Sequence, residues 1–155
     1  MDRIALEILG RELQADAVVL ADAARKAADR LEAACPGHLE SCAFELHRLY
    51  NVVEKSLERI CSAFEKRGNF HERLLERMVL NLPGTRPPFL SESARALLRE
   101  LKAFRRLFRH AYDLTLQADK LRPLVAGAIE VAHDFPAWTA DFLDTCRAGL
   151  ATDPQ

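Results

Sequence analysis

Residues 38–69, HLESCAFELHRLYNVVEKSLERICSAFEKRGN, decide the fold. Leu39, Cys42, Leu46, Leu49, Val53, Leu57, Ile60 and Phe64 recur at steps of three and four, the period that gathers side chains on one face of an α-helix. No two-residue alternation competes with it. The spacing predicts a helix over about 38–66 that turns these residues inward and ends at Arg67-Gly68-Asn69, where Gly68 suits a left-handed C-cap.

The same rhythm runs outward in both directions. Upstream, Ile4, Ile8, Leu13, Val18, Leu20, Ala24, Ala28 and Leu31 predict a helix over about 2–34, closed by a tight turn at Cys35-Pro36-Gly37. Downstream, a shorter helix from about Phe70 to Leu82 gives way to Pro83-Gly84-Thr85-Arg86-Pro87-Pro88, which cannot remain helical. Ser91 then reads as an N-cap with Glu92 complementing the helix dipole, and Leu97, Leu101, Phe104, Phe108 and Ala111 mark the next core face. The last helix, about 119–149, opens with Asp119 as its cap and carries Leu121, Leu124, Ala128, Val131, Phe135, Phe142 and Cys146, with a kink expected at Pro136. The expectation is an all-α antiparallel bundle of four long helices and one short one, a single domain over residues 1–150 with a frayed tail over 151–155.

Composition narrows the function classes. The 155 residues suffice for one core, and 49% hydrophobic with 29% charged residues is a globular balance that excludes intrinsic disorder. No apolar run reaches the length of a membrane span and the first residues lack a signal-peptide pattern, so a cytoplasmic location without membrane association is expected. Cys35, Cys42, Cys61 and Cys146 have no zinc-ligand spacing and are expected to be buried free thiols, with neither metal nor cofactor called for. The net charge of −1 gives no global attraction to nucleic acid, yet residues 95–109 hold Arg95, Arg99, Lys102, Arg105, Arg106 and Arg109 against Glu100 alone. Charge alone leaves a solvated helix face and a ligand-binding face equally open.

Chemistry concentrates at Phe104-Arg105-Arg106-Leu107-Phe108-Arg109-His110-Ala111-Tyr112. Imidazole exchanges protons near neutrality and guanidinium grips phosphate with parallel hydrogen bonds, so His with Arg is a minimal kit for phosphodiester cleavage without a metal. Five helical positions set His110 about 140° from Arg105, at the opposite margin of the apolar stripe. Arg105, Arg109 and Tyr112 then form one edge and Arg106 with His110 another, a split that a second copy of the helix would help to complete.

At these residues the chain resembles the HEPN fold and, within it, the HepT-like ribonuclease toxins. The pattern of Arg, four residues, His, one residue and Tyr is met by Arg105, His110 and Tyr112. Similarity extends through Leu49-Tyr50-Asn51 to Glu58-Arg59-Ile60, His71 to Met78, Leu82-Pro83-Gly84 with Arg86-Pro87-Pro88, and Leu90-Ser91-Glu92, about residues 45–125 in all. The resemblance implies a dimeric helical bundle that cleaves cellular RNA such as tRNA or mRNA, held in check by a nucleotidyltransferase antitoxin. By position, His110 is the implied acid or base, Arg105 the implied phosphate holder, and Arg106 and Arg109 further RNA contacts. Tyr112 is the implied acceptor of AMP from the antitoxin. The residue after the motif Arg is commonly Asn, Asp or His in the family, and here it is Arg106.

The competing reading is a non-catalytic helical module that binds a nucleotide or a partner nucleotidyltransferase through the basic edge. Structural roles are expected elsewhere: Tyr50 as a core-edge aromatic, Glu54 and Arg59 as intramolecular supports, His47 and His71 as surface or interhelical hydrogen bonders, and Arg86 in solvent. His133 with Asp134 is too isolated for a site.

Overall fold

In the computed structural model, which describes residues 2–65, 73–110 and 115–151, the chain forms five helices. They are α1 (Arg3–Leu31), α2 (His38–Phe64), α3 (Leu74–Met78), α4 (Glu92–His110) and α5 (Ala118–Ala151). No strand occurs among the described residues. A lone bridge between Leu82 and Arg86 closes a turn in which Gly84 takes a φ of 72°, the left-handed conformation a side chain disfavours. The expected positions Gly68, Phe70, His71, Ala111, Tyr112 and residues 152–155 lie outside the described residues.

Local chemistry sets the helix ends. Asp2 accepts a hydrogen bond from the Ala5 N–H at 2.7 Å and caps α1, while Ser91 Oγ accepts from the Ala94 N–H at 3.1 Å and caps α4 as expected. Asp119 is not a cap: it sits inside the first turn of α5, whose opening N–H groups at Lys120 and Leu121 donate instead to the Gln117 carbonyl. α5 continues through both Pro123 and Pro136.

The long helices α1, α2, α4 and α5 share one core. The α2 face read from sequence is the face that packs, with Leu46, Leu49, Val53, Leu57 and Ile60 buried. α1 is corrected in part: Ile4, Ile8 and Val18 are 74%, 56% and 71% exposed, and the buried stripe runs through Leu6, Leu9, Leu13, Leu20, Ala24 and Leu31. Only the second stripe stays apolar along the helix, because Arg11 interrupts the first. In α4 the buried residues are Ala94, Leu98, Leu101 and Phe104, with Leu97 and Phe108 half-buried. Gly127 lets α5 approach α4, since a β-carbon there would lie 3.0 Å from Leu97 Cδ1.

Arg86 is not in solvent. Its side chain has no exposure, and all five guanidinium N–H groups are used. Nε and Nη2 donate to Glu65 Oε1 at 3.1 and 3.0 Å, Nη1 donates to the Leu80 and Pro87 carbonyls, and Nη2 also donates to the Arg77 carbonyl. Arg77 holds the other oxygen of Glu65. The proline-rich loop is thus pinned to the end of α2, over a cluster in which Phe89 meets Phe135 and Phe142 edge to face.

Cys42, Cys61 and Cys146 are buried free thiols, and burial pushes Cys42 and Cys146 up to about 11, so both stay protonated. Cys35 departs from expectation and is exposed, at the turn between α1 and α2.

Candidate nucleic-acid interface

α4 buries one narrow face and leaves its basic residues outside it. Taking Arg105 as zero, Arg109 lies about 40°, Arg106 about 100° and His110 about 140° around the helix, while Phe108 and Phe104 lie about 60° and 100° the other way. Past the buried Leu98 at about 20°, the arc from Arg105 to His110 therefore crosses cations and leaves the core behind. This corrects the expectation that His110 borders the apolar stripe: it is exposed, on the outward side of the helix.

Arg106 and His110 come together in one open groove of about 760 Å³ between α3 and α4. Arg99, Lys102, Ala103 and Leu107 complete its α4 wall, and Leu75 and Glu76 form the α3 side. Arg99 is 59% exposed and lies 3.9 Å from Glu76, a distance too long for a good hydrogen bond.

Arg105 faces the other way, toward α2. Nη1 donates to Glu54 Oε2 at 2.5 Å and Nη2 to Glu54 Oε1 at 3.0 Å, a two-pronged pairing. Nη1 also donates to Asn51 Oδ1 at 2.9 Å, and the guanidinium carbon lies 4.8 Å from the centre of the buried Tyr50 ring. Among the described residues, Nε–H and the second Nη2–H have no acceptor. These two groups point along parallel directions on the side-on edge of the guanidinium, an edge that matches two oxygens of a phosphate. The Arg105 side chain retains 15% exposure and that of Glu54 23%.

A second imidazole backs this pair. Asn51 Nδ2–H donates to His47 Nε2 at 2.9 Å, which places the ring proton on Nδ1, a buried atom without an acceptor among the described residues. Burial, and then the charges of Arg105 and Arg109, hold His47 below the ordinary imidazole range. Its ring lies 6.0 Å from that of Phe108. His47, Asn51 and Glu54 occupy positions i, i+4 and i+7 of α2 and so share one ridge. That spacing is the signal in the sequence for a partner set to which residue type alone assigns structural roles.

Arg109 is exposed, between the Arg105 edge and the groove. Arg59, expected as a support, pairs with Asp16 of α1, which also accepts from Ser56 Oγ at 2.8 Å. His133 and Asp134 pair with each other at 2.8 Å on the surface. Among the described residues, no three His, Cys, Asp or Glu side chains gather in a way that could hold a metal, and no helix is long and apolar enough to cross a membrane.

Comparison with known proteins gives no match among curated proteins or solved structures. A family model described as HepT-like protein does match, over residues 41–146, a span that takes in most of α2, α3, the pinned loop, α4 with its Arg105 to His110 motif, and most of α5. The chain belongs to the HepT-like family of the HEPN superfamily.

Proposed function

We propose that the chain is the toxin of a toxin–antitoxin pair, a metal-independent endoribonuclease acting on cellular RNA such as tRNA or mRNA. The observation that carries this reading is the groove in which His110 stands with Arg106, Lys102 and Arg99. Polyanion and proton-transfer group meet there.

In the proposed reaction the 2′-oxygen of a ribose attacks its own 3′-phosphate. The new P–O2′ bond forms as the P–O5′ bond breaks, leaving a 2′,3′-cyclic phosphate and a 5′-hydroxyl. His110 takes the 2′ proton as general base. In a homodimer, a second copy's His110 returns a proton to the departing 5′-oxygen. In that two-copy cleft, Arg106 beside His110 and the side-on edge of the second copy's Arg105 meet the phosphate oxygens as negative charge builds, with Arg109 between the two edges of each helix. Glu54 and Asn51 fix the plane of Arg105 so that this edge is presented rather than searched for.

Regulation follows from the same charges. A nucleotidyltransferase antitoxin transfers AMP from ATP to the Tyr112 phenol oxygen, the new O–Pα bond forming as pyrophosphate leaves and the phenol proton is lost, and the added phosphate occupies the arginines that would bind RNA. Intact-mass analysis after co-expression with a neighbouring nucleotidyltransferase is expected to show the adduct in the parent chain and not in Tyr112→Phe. An adduct at another residue would separate inhibition from this tyrosine.

One observation favours a second reading, a binding module that cuts nothing: the motif arginine is already held by a carboxylate. A cleavage assay decides between them. Purified protein is expected to cut single-stranded RNA in the presence of a chelator and to lose that activity in His110→Ala with the helical circular dichroism spectrum intact. Absence of cleavage by the parent protein would establish the binding module.

A further inference from the structure

The groove wall continues beyond the motif. Arg99, Lys102, Arg106 and His110 follow one another at steps of three, four and four residues, about 4.5, 6 and 6 Å along the axis at the α-helical rise. They form one ridge of α4, and all four line the same groove. Long cationic side chains at such intervals match successive phosphates of an extended strand. Opposing charge is slight: Glu76 is the one acidic side chain lining the groove among the described residues, and its contact with Arg99 is exposed and long.

The groove also favours one strand over two. A duplex offers phosphates on two ridges and turns its bases inward, whereas this cationic ridge is a single helix row. Beside it lie Ala103 and Leu107, the latter 53% exposed, an apolar flank suited to base faces that have left a stack.

We infer that Arg99 and Lys102 extend the site into a track for the backbone of single-stranded RNA, holding about three nucleotides on one side of the phosphate at His110. The inference rests on the proposed RNA chemistry for its ligand but is tested by binding alone. Full-length protein is titrated with a 2′-O-methyl RNA strand of about 12 nucleotides, which cannot undergo attack by its own 2′-oxygen, and with the same sequence as a duplex. The parent protein is expected to bind the strand at least about tenfold more tightly than the duplex. In the double variant Arg99→Gln, Lys102→Gln, affinity for the strand falls about tenfold and the slope of log K against log salt drops by about 1.4, two contacts at about 0.7 each. Melting by circular dichroism confirms that the double variant is folded, as expected for an exposed Arg99 and a half-buried Lys102 outside the core. Unchanged strand affinity and salt slope in a folded double variant would overturn the track and leave the ridge to an acidic protein surface. Equal binding of strand and duplex would overturn the single-strand assignment. Binding that behaves as expected while His110→Ala still cuts RNA would instead sink the catalytic reading and leave the track standing.

Discussion

Two arginines reach back to glutamates on or just beyond α2, and they are held in opposite ways. Arg86 meets Glu65 at the end of the helix with no side-chain exposure and spends all five of its N–H groups on protein acceptors. Arg105 meets Glu54 further up the helix with 15% exposure and, among the described residues, spends three, two on the carboxylate and one on Asn51. A saturated guanidinium can only hold the fold together. One with a parallel pair of donors unused among the described residues can hold the fold and still receive an anion. Donor accounting, more than burial or pairing alone, separates an arginine that is fully spent on the fold from one with donors to spare.

The sharpest way to break this comparison is to remove each arginine in turn. Arg86→Ala leaves Glu65 buried beside Arg77 and strips donors from three carbonyl oxygens, so a loss of about 3–5 kcal/mol is expected, read as a fall in melting temperature of about 10 °C. Arg105→Ala releases a carboxylate that water can reach. Its melting loss is expected to be less than half as large, while RNA cleavage falls about 10²–10³-fold. Equal melting losses, or cleavage that survives Arg105→Ala, would erase the distinction.

The two sites also differ in how legible they are in the sequence. The motif residues of α4 carry their chemistry in type and spacing, and the helix that bears them announces itself by period, so Arg105, Arg106, Arg109 and His110 stand out from residue order alone. Arg86 does not. It lies among prolines and a glycine, a composition that says surface loop, and nothing local shows that Glu65 waits 21 positions upstream at the end of another helix. The exposed Ile4, Ile8 and Val18 are the same lesson in apolar form: two stripes compete on α1, and tertiary packing against α2 and α5 selects one. Asn51 and Glu54 fall between these cases. Their ridge on α2 is visible in the spacing, but its partner on α4 lies more than 50 positions away.

A smaller change sharpens the comparison at the carboxylate itself. Glu54→Gln keeps the size and one oxygen but puts an amide N–H₂ against a guanidinium N–H, so Arg105 loses its fixed plane. If Glu54 positions the arginine, kcat falls about tenfold with KM nearly constant, because a misaligned donor costs most in the transition state. A rise in kcat would instead make Glu54 a lock on a competent arginine. Glu54→Asp should recover part of the loss, since the charge remains and only the reach shortens.

The smallest expected effect belongs to His47, one hydrogen bond further back along the same relay. Its imidazole is held below the ordinary range by burial first and by Arg105 and Arg109 after it, so between the folded pKa and about 6.5 the unfolded chain binds the proton that the folded chain refuses. Stability therefore rises with pH through that window and is lost as pH falls through it, with a slope of at most about 1.4 kcal/mol per pH unit from this one group. Protonation would also turn Nε2 from acceptor to donor, facing the Asn51 amide N–H₂ that now donates to it. Asn51 could then meet it only by flipping, which would turn an N–H₂ toward Arg105. His47→Gln retains a side-chain acceptor and cannot titrate. Melting followed from pH 7 down to pH 5 should fall less steeply in His47→Gln than in the parent chain, and cleavage should lose less of its acid-side decline. Parallel curves would show that the relay ends at Asn51, with Arg105 held by α2 without help from its histidine.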